Sequence, residues 1–249
     1  MEDAFGITRM DIAMRKTVSI DSGALANSLN RLAAHEPVQY VVGKAYFLDE
    51  AFKVSPDVLI PRPETEELVQ WILSENNESN LSVWDIGTGS GCIAISLAKQ
   101  LTDATVYASD ISGSALNLAR TNSLEHGTIV QFLQSDVLND TTPIDDLDII
   151  VSNPPYIPES DRTSMHVNVL NHEPSTALFV PNDDPLRFYR KIGAVGLECL
   201  KDGGLIYFEV HEQLANETLQ MLLQLGYTEG KIKTDLNEKK RMVRVRKSF

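Results

Sequence analysis

The residues IVSNPPYIP, 150 to 158, set an amide, two consecutive prolines and an aromatic ring at the end of an apolar run. Each proline removes a backbone donor and fixes φ, so a strand reaching Ser152 must end there. What remains at its carboxyl end is the Asn153 side chain, the stiffened carbonyls of Pro154 and Pro155, and the ring of Tyr156. Such groups suit a planar ligand bearing an NH2 group, with acceptors for its two N–H bonds and a flat wall for its face. The bland alternative is a rigid turn without chemistry. At average proline usage an Asn/Asp-Pro-Pro-aromatic string arises by chance in about one chain of this length in a hundred, or fewer.

A second stretch, VWDIGTGSGCIAI, runs from an apolar segment through Gly87, Thr88, Gly89, Ser90 and Gly91 into another. Glycines in a strand-to-helix turn let a ligand approach the backbone, and the helix amino terminus offers free N–H groups. Alone, G-x-G-x-G fits a cofactor turn, a dinucleotide fold or a plain tight turn. Asp110, 19 residues after Gly91, decides between them, because a carboxylate at the end of the next strand can accept both hydroxyls of a ribose. Its competing role is to cap the helix that follows.

These residues need a scaffold that brings strand ends together. From residue 81 the pattern alternates strands, LSVWDI, ATVYASD, TIVQFLQSD, LDIIVSN and GLIYFEV, with helices, GCIAISLAKQL, SGSALNLARTNSLEHG and stretches near 185 to 200 and 212 to 225. Ser112 should start the second helix and Gly127 end it. Alternation of this kind predicts a parallel sheet covered on both faces, with ligands beyond the strands' carboxyl ends. The last two strands predict an antiparallel hairpin at one edge. Upstream, SGALANSLNRLAAHE puts Leu25, Leu29 and Leu32 on one helical face behind Asp21 or Ser22, VQYVVGKAYFLDEAFKVS reads as a hairpin, and IPRPETEELV starts a helix at Pro63. The divisions expected are a helical segment over 1–36, a hairpin linker over 37–60 and the main domain over 61–249.

The 249 residues are 43% hydrophobic and 23% charged, with no apolar run near the roughly 20 residues a membrane span requires and no basic, apolar leader. Cys92 and Cys199 are too few for a disulfide framework, so a cytoplasmic protein with two buried thiols is expected. His35, His126, His166, His172 and His211 lack ligand spacing, and no metal is expected. Net charge is −13; residues 61–230 hold 8 Lys/Arg against 25 Asp/Glu, whereas 231–249 hold 8 against 2. An acidic body lacks the positive surface that a phosphate backbone demands, which weighs against nucleic acid as substrate. The basic tail reads as an edge hairpin whose lysines block edge-to-edge pairing.

The segments IPRPETEELV, DIGTGSGCIAI, SDISGSALNLARTN, DIIVSNPPYIP, HEPSTAL and DGGLIYFEV resemble, in order and spacing, the HemK/PrmC protein-glutamine methyltransferases that act on peptide chain release factors. The resemblance covers nearly all of residues 37–249. NPPY is shared with adenine-N6 methyltransferases of RNA or DNA, which are the alternative reading; PRPETE upstream of GTGSG narrows the match. The resemblance implies an α/β class I S-adenosylmethionine-dependent methyltransferase, Rossmann-like, with a seven-stranded sheet and an antiparallel edge hairpin. It implies methyl transfer to N5 of the glutamine in a Gly-Gly-Gln motif. Gly87 to Gly91 would surround the methionine part of the cofactor, Asp110 its ribose and Val137 its adenine, although relatives often have an aromatic residue there. Asn153, Pro154, Pro155 and Tyr156 would hold the glutamine amide, with Asn153, Pro154 and Tyr156 as the catalytic set and Asn153 also beside the cofactor. Arg62, Glu64, Glu173 and Pro174 match the family's pattern. Family members carry a helical amino-terminal domain that docks the release factor, of which residues 1–36 resemble the later part.

Overall fold

The computed structural model describes residues 2–141 and 144–248. Four short helices come first, Glu2–Phe5 (α1), Arg9–Ala13 (α2), Ser22–Ala33 (α3) and Val38–Val42 (α4), then a hairpin of Lys44–Phe47 (β1) and Glu50–Lys53 (β2). Asp21 caps α3, its carboxylate accepting from Gly23 N at 2.8 Å. Leu29 and Leu32 on that helix remain exposed. The expected hairpin is shorter than its sequence suggested, because VQYVV is a helical turn. Pro37 starts it, Gly43 ends it in the left-handed region, and the Tyr40 hydroxyl donates to Val58 O at 2.6 Å.

Pro63 occupies the first turn of Pro63–Glu75 (α5), where its missing N–H costs nothing. Strands and helices then alternate: Ser82–Ile86 (β3), Cys92–Gln100 (α6), Thr105–Asp110 (β4), Gly113–Glu125 (α7), Val130–Gln134 (β5) and Leu147–Ser152 (β6). An excursion of short pieces follows, Ile157–Pro158 (β7), a 3-10 turn at Glu159–Ser164, Val167–His172 (α8), another 3-10 turn at Ser175–Ala177, and Phe179–Val180 (β8). The chain closes with Arg187–Cys199 (α9), Leu200–Glu209 (β9), Ala215–Leu225 (α10), Thr228–Thr234 (β10) and Lys240–Arg246 (β11).

Seven strands form one sheet in the order β10-β11-β9-β6-β3-β4-β5. The five strands from β9 to β5 are parallel, β11 runs antiparallel to β9, and β10 runs antiparallel to β11 and so shares the direction of the other five. This is the class I methyltransferase fold with its edge hairpin. Alternate strand residues serve opposite faces, as the period of two requires. Val83, Ile149, Val151 and Tyr207 pack under α5 and α6, whereas Trp84, Ile150, Ile206 and Phe208 meet the α9 and α10 side. Strand order reverses between β3 and β6, and a crevice opens at such a switch point beyond the strand ends.

The start of α6 depends on Gly91. Its φ is +83°, and a Cβ there would stand 2.9 Å from Ile95 Cδ1 and 3.1 Å from Ala119 Cβ. Gly91→Ala should therefore lower stability by about 2 kcal/mol, from left-handed strain and overpacking together. Urea unfolding would show it as a lower midpoint at unchanged slope; an unmoved midpoint would mean that the turn relaxes freely.

Candidate active site

The glycine turn is held from beneath. Gly87 N and Thr88 N both donate to Ser109 O on β4, each at 2.9 Å, and Gly91 N donates to Thr88 O at 2.8 Å. Gly87 and Gly89 have positive φ, and no atom lies within 4 Å of where either would carry a Cβ. The turn thus offers bare backbone to open space, the property that glycine supplies at a close ligand approach. Thr88 is fastened by its hydroxyl, which donates to Asp85 Oδ2 at 2.6 Å. Burial pushes the Asp85 carboxyl up to about 7, with the Thr88 hydroxyl opposing.

Asp110 closes the turn from the next strand, its Oδ2 accepting from Gly89 N and its Oδ1 from Ser112 N, each at 2.9 Å. The cap of α7 is Ser112, whose side chain accepts from Ala115 N, so capping does not consume Asp110. Each carboxylate oxygen keeps a further lone pair for hydroxyl donors. Burial raises the Asp110 carboxyl, and the backbone donors oppose it.

A cavity of about 360 Å³ lies over the switch point, bringing together Gly87 to Ser90, Asp110, Val137 and Asn153 to Pro155. Two expected residues stand apart from its lining. Gly91 is turned toward Ile95 and Ala119, so it serves helix packing. Tyr156 directs its hydroxyl to Glu209 Oε1 at 3.0 Å and sets its ring edge-on to His211. Burial, reinforced by Glu209, raises the Tyr156 phenol well above its usual value, so it stays protonated as a donor. Val137 does line the cavity, near Ile111 and Leu138, an apolar wall without an aromatic face. Cys92 also reaches it, but burial pushes its thiol up to about 12, which makes it a small wall residue and no nucleophile.

The Asn153 amide is tied to residues far away in sequence. Its Nδ2 donates to Thr65 Oγ1 at 3.1 Å, and that hydroxyl donates to Glu209 Oε2 at 2.5 Å. Nearby, Arg62 pairs with Glu173 through both carboxylate oxygens at 2.6 and 2.7 Å, and Ile60 N donates to Glu173 Oε2 at 3.4 Å. Arg62 and Pro174 line the cavity, so the pair fastens its two covering segments to each other. Among the described residues, no group of three or more His, Cys, Asp or Glu could hold a metal ion.

A family model for the methyltransferase small domain matches residues 65–178. A release factor glutamine methyltransferase of Bacteroides thetaiotaomicron is 45% identical over 97% of this chain and 88% of its own length. The enzyme of that name from Lactococcus lactis is 42% identical over 95% of this chain and 87% of its own. The chain belongs to the release factor glutamine methyltransferase family. Among solved structures, a methyltransferase from Pyrococcus furiosus shares the fold at a TM-score of 0.60 and 17% identity, covering 90% of this chain and 100% of that one. A Thermus thermophilus 16S rRNA methyltransferase, solved in complex with AdoMet and guanosine, gives 0.59 at 19% identity over 82% of this chain and 49% of its own.

S-adenosylmethionine, the methyl donor of such enzymes, fits the residues present in this family member. The open backbone at Gly87 and Gly89 would accommodate its amino-acid end, Asp110 has acceptor capacity for a ribose, and Ile111, Val137 and Leu138 would provide apolar surface for a base. Asp110→Ala should weaken cofactor binding by about 1 to 3 kcal/mol, roughly fivefold to 150-fold, through loss of charge-assisted acceptors. Titration calorimetry checks this, and unchanged affinity would remove Asp110 from the site.

Three residues of the site went unassigned in the sequence. Thr65 sits inside PRPETE beside Arg62 and Glu64, and Glu209 lies in GLIYFEV, whose pattern states only a strand. Glu173 was seen as matching the family, without a role. Buried acids ending apolar strands are the signal that finds Glu209, since such groups are rarely buried without a partner.

Proposed function

We propose that the protein transfers a methyl group from S-adenosylmethionine to N5 of the glutamine in the Gly-Gly-Gln motif of a peptide chain release factor, in the cytoplasm. The observation that carries this reading is the Asn153 amide, whose Nδ2 is engaged by Thr65. That bond leaves Oδ1 as the amide's acceptor, and Pro154, the next residue at the same strand end, adds a backbone carbonyl; both residues line the cavity. A substrate carboxamide offers two N–H donors, and two acceptors at one strand end suit it.

A carboxamide nitrogen is a weak nucleophile because its lone pair is delocalised. Bound S-adenosylmethionine supplies a methyl carbon activated by a sulfonium. Asn153 Oδ1 and the Pro154 carbonyl accept the two N–H bonds and turn the nitrogen in line, and positioning of this kind can supply several kcal/mol. The same acceptors stabilise positive charge growing on that nitrogen. The surplus proton leaves to water, so no strong base is required. Tyr156 also supports this wall by donating its hydroxyl to Glu209.

Residues 1–36 act as the substrate-recognition segment, joined by 37–60 to the catalytic domain over 61–249. Exposed Met10, Ile12, Leu29 and Leu32 give that segment apolar contact surface. An intact release factor should therefore be methylated much better than a short Gly-Gly-Gln peptide, since remote contacts position the reacting amide. Binding should respond modestly to salt. Oligonucleotides that compete as substrates, with affinity falling steeply as salt rises, would instead favour an adenine methyltransferase.

A further inference from the structure

We propose that Thr65 and Glu209 form a hydrogen-bond relay that fixes which end of the Asn153 amide faces the substrate, making Thr65 a positioning residue for methyl transfer. The inference rests on the glutamine reading for its substrate and on the geometry for its direction.

An Asn side chain can present either its oxygen or its NH2 by turning half a revolution, and only the oxygen accepts from a substrate amide. Something must therefore choose the orientation. Thr65 is buried at 3% exposure and Glu209 at 1%, so water does not arbitrate. The Glu209 carboxylate receives two hydroxyl donors, Thr65 on Oε2 at 2.5 Å and Tyr156 on Oε1 at 3.0 Å. A carboxylate only accepts. Thr65 has one hydroxyl proton, and giving it to Glu209 leaves its oxygen able only to accept from the other side. The partner on that side is Asn153, and the atom able to donate is Nδ2, at 3.1 Å. The reverse orientation would set Oδ1 against a hydroxyl oxygen whose proton points away, two acceptors face to face in a buried site.

Burial, with Glu64 adding to it, raises the Glu209 carboxyl above its usual range, and Thr65, Tyr156 and Arg241 oppose the rise by favouring the charged form that the relay uses. Tyr189 adds a hydroxyl bond to the Glu209 backbone carbonyl at 3.2 Å, which steadies the strand end that carries the acid. The relay joins α5, the end of β6 and the end of β9, so the PRPETE segment is coupled to NPPY by chemistry as well as by packing.

Two readouts test the relay in the full-length protein. In side-chain amide spectra of 15N-labelled protein, the Asn153 NH2 pair, assigned by its loss in Asn153→Ala, should shift by several linewidths in Thr65→Val and return toward its original position in Thr65→Ser. An unmoved pair would overturn the relay whatever the substrate proves to be. In single-turnover methylation of a release factor, Thr65→Val should be slower by about tenfold, Thr65→Ser within about threefold of the original, and both with near-normal cofactor affinity. Placed on Asn153→Ala, Thr65→Val should cost nothing more, because the relay acts through that amide. The same tenfold loss in both backgrounds, or no loss in either, would contradict it. Thr65→Ala makes the same comparisons with the same expectations should the valine protein fail to fold. Absence of any transfer by the unsubstituted protein would count against the glutamine reading, while the amide spectra would still decide the relay.

Discussion

Asn153→Ala should slow methyl transfer by at least about a hundredfold while leaving S-adenosylmethionine affinity near its original value. The expectation follows from what the side chain does. In the proposed site the cofactor would be held mainly by the glycine turn and Asp110, which Asn153 does not touch in any described hydrogen bond. Its loss removes one of two acceptors for the reacting NH2 and leaves the Thr65 hydroxyl oxygen without the donor it now has. Both effects bear on the orientation of the nucleophile, so they should appear in the transfer rate at saturating substrate. A single-turnover rate equal to that of the original protein would eliminate the amide from the reaction. Weakened cofactor binding with an unchanged rate would move Asn153 to the cofactor side alone.

The second large effect is on stability. Arg62→Ala should lower the unfolding free energy by about 2 to 4 kcal/mol, because a buried carboxylate that loses its cation is left uncompensated. The Glu173 side chain is 1% exposed, and without Arg62 its described donors reduce to the long Ile60 N contact at 3.4 Å. Arg62 itself is 32% exposed, which puts the cost below that of a fully buried pair. The pair need not be a net source of stability, since replacing both partners can be neutral; what is costly is removing one. Glu173→Gln added to Arg62→Ala should therefore recover part of the loss. Urea unfolding of the two variants checks this, and a single variant as stable as the original would show that water reaches Glu173 and that the covering segments are not fastened there.

Features encoded within a few residues could be read directly from the chain. A glycine-rich turn between an apolar strand and a helix, an acid at the next strand end and two prolines stopping β6 are local statements, and each reached the cavity. The same local logic found the Asp21 and Ser112 caps and Pro63 at the start of α5. VQYVV failed because alternating β-branched residues look like a strand, while Pro37, Gly43 and the buried Tyr40 hydroxyl impose a turn of helix. Tyr156 was expected against the substrate because aromatic rings stack on planar groups. Its hydroxyl donates to a buried acid 53 residues away, a partner that no local pattern announces. Thr65 and Glu209 were invisible for a similar reason, since 144 residues separate them and only strand order makes them neighbours.

The most direct test of the proposed chemistry is mass mapping of the methyl group after incubation with isotopically labelled S-adenosylmethionine and an equimolar mixture of intact release factor and adenine-containing RNA and DNA oligonucleotides. A single labelled methyl is expected on the side-chain nitrogen of the glutamine in Gly-Gly-Gln, lost in Asn153→Ala. Label on adenine, with none on the release factor, would contradict it.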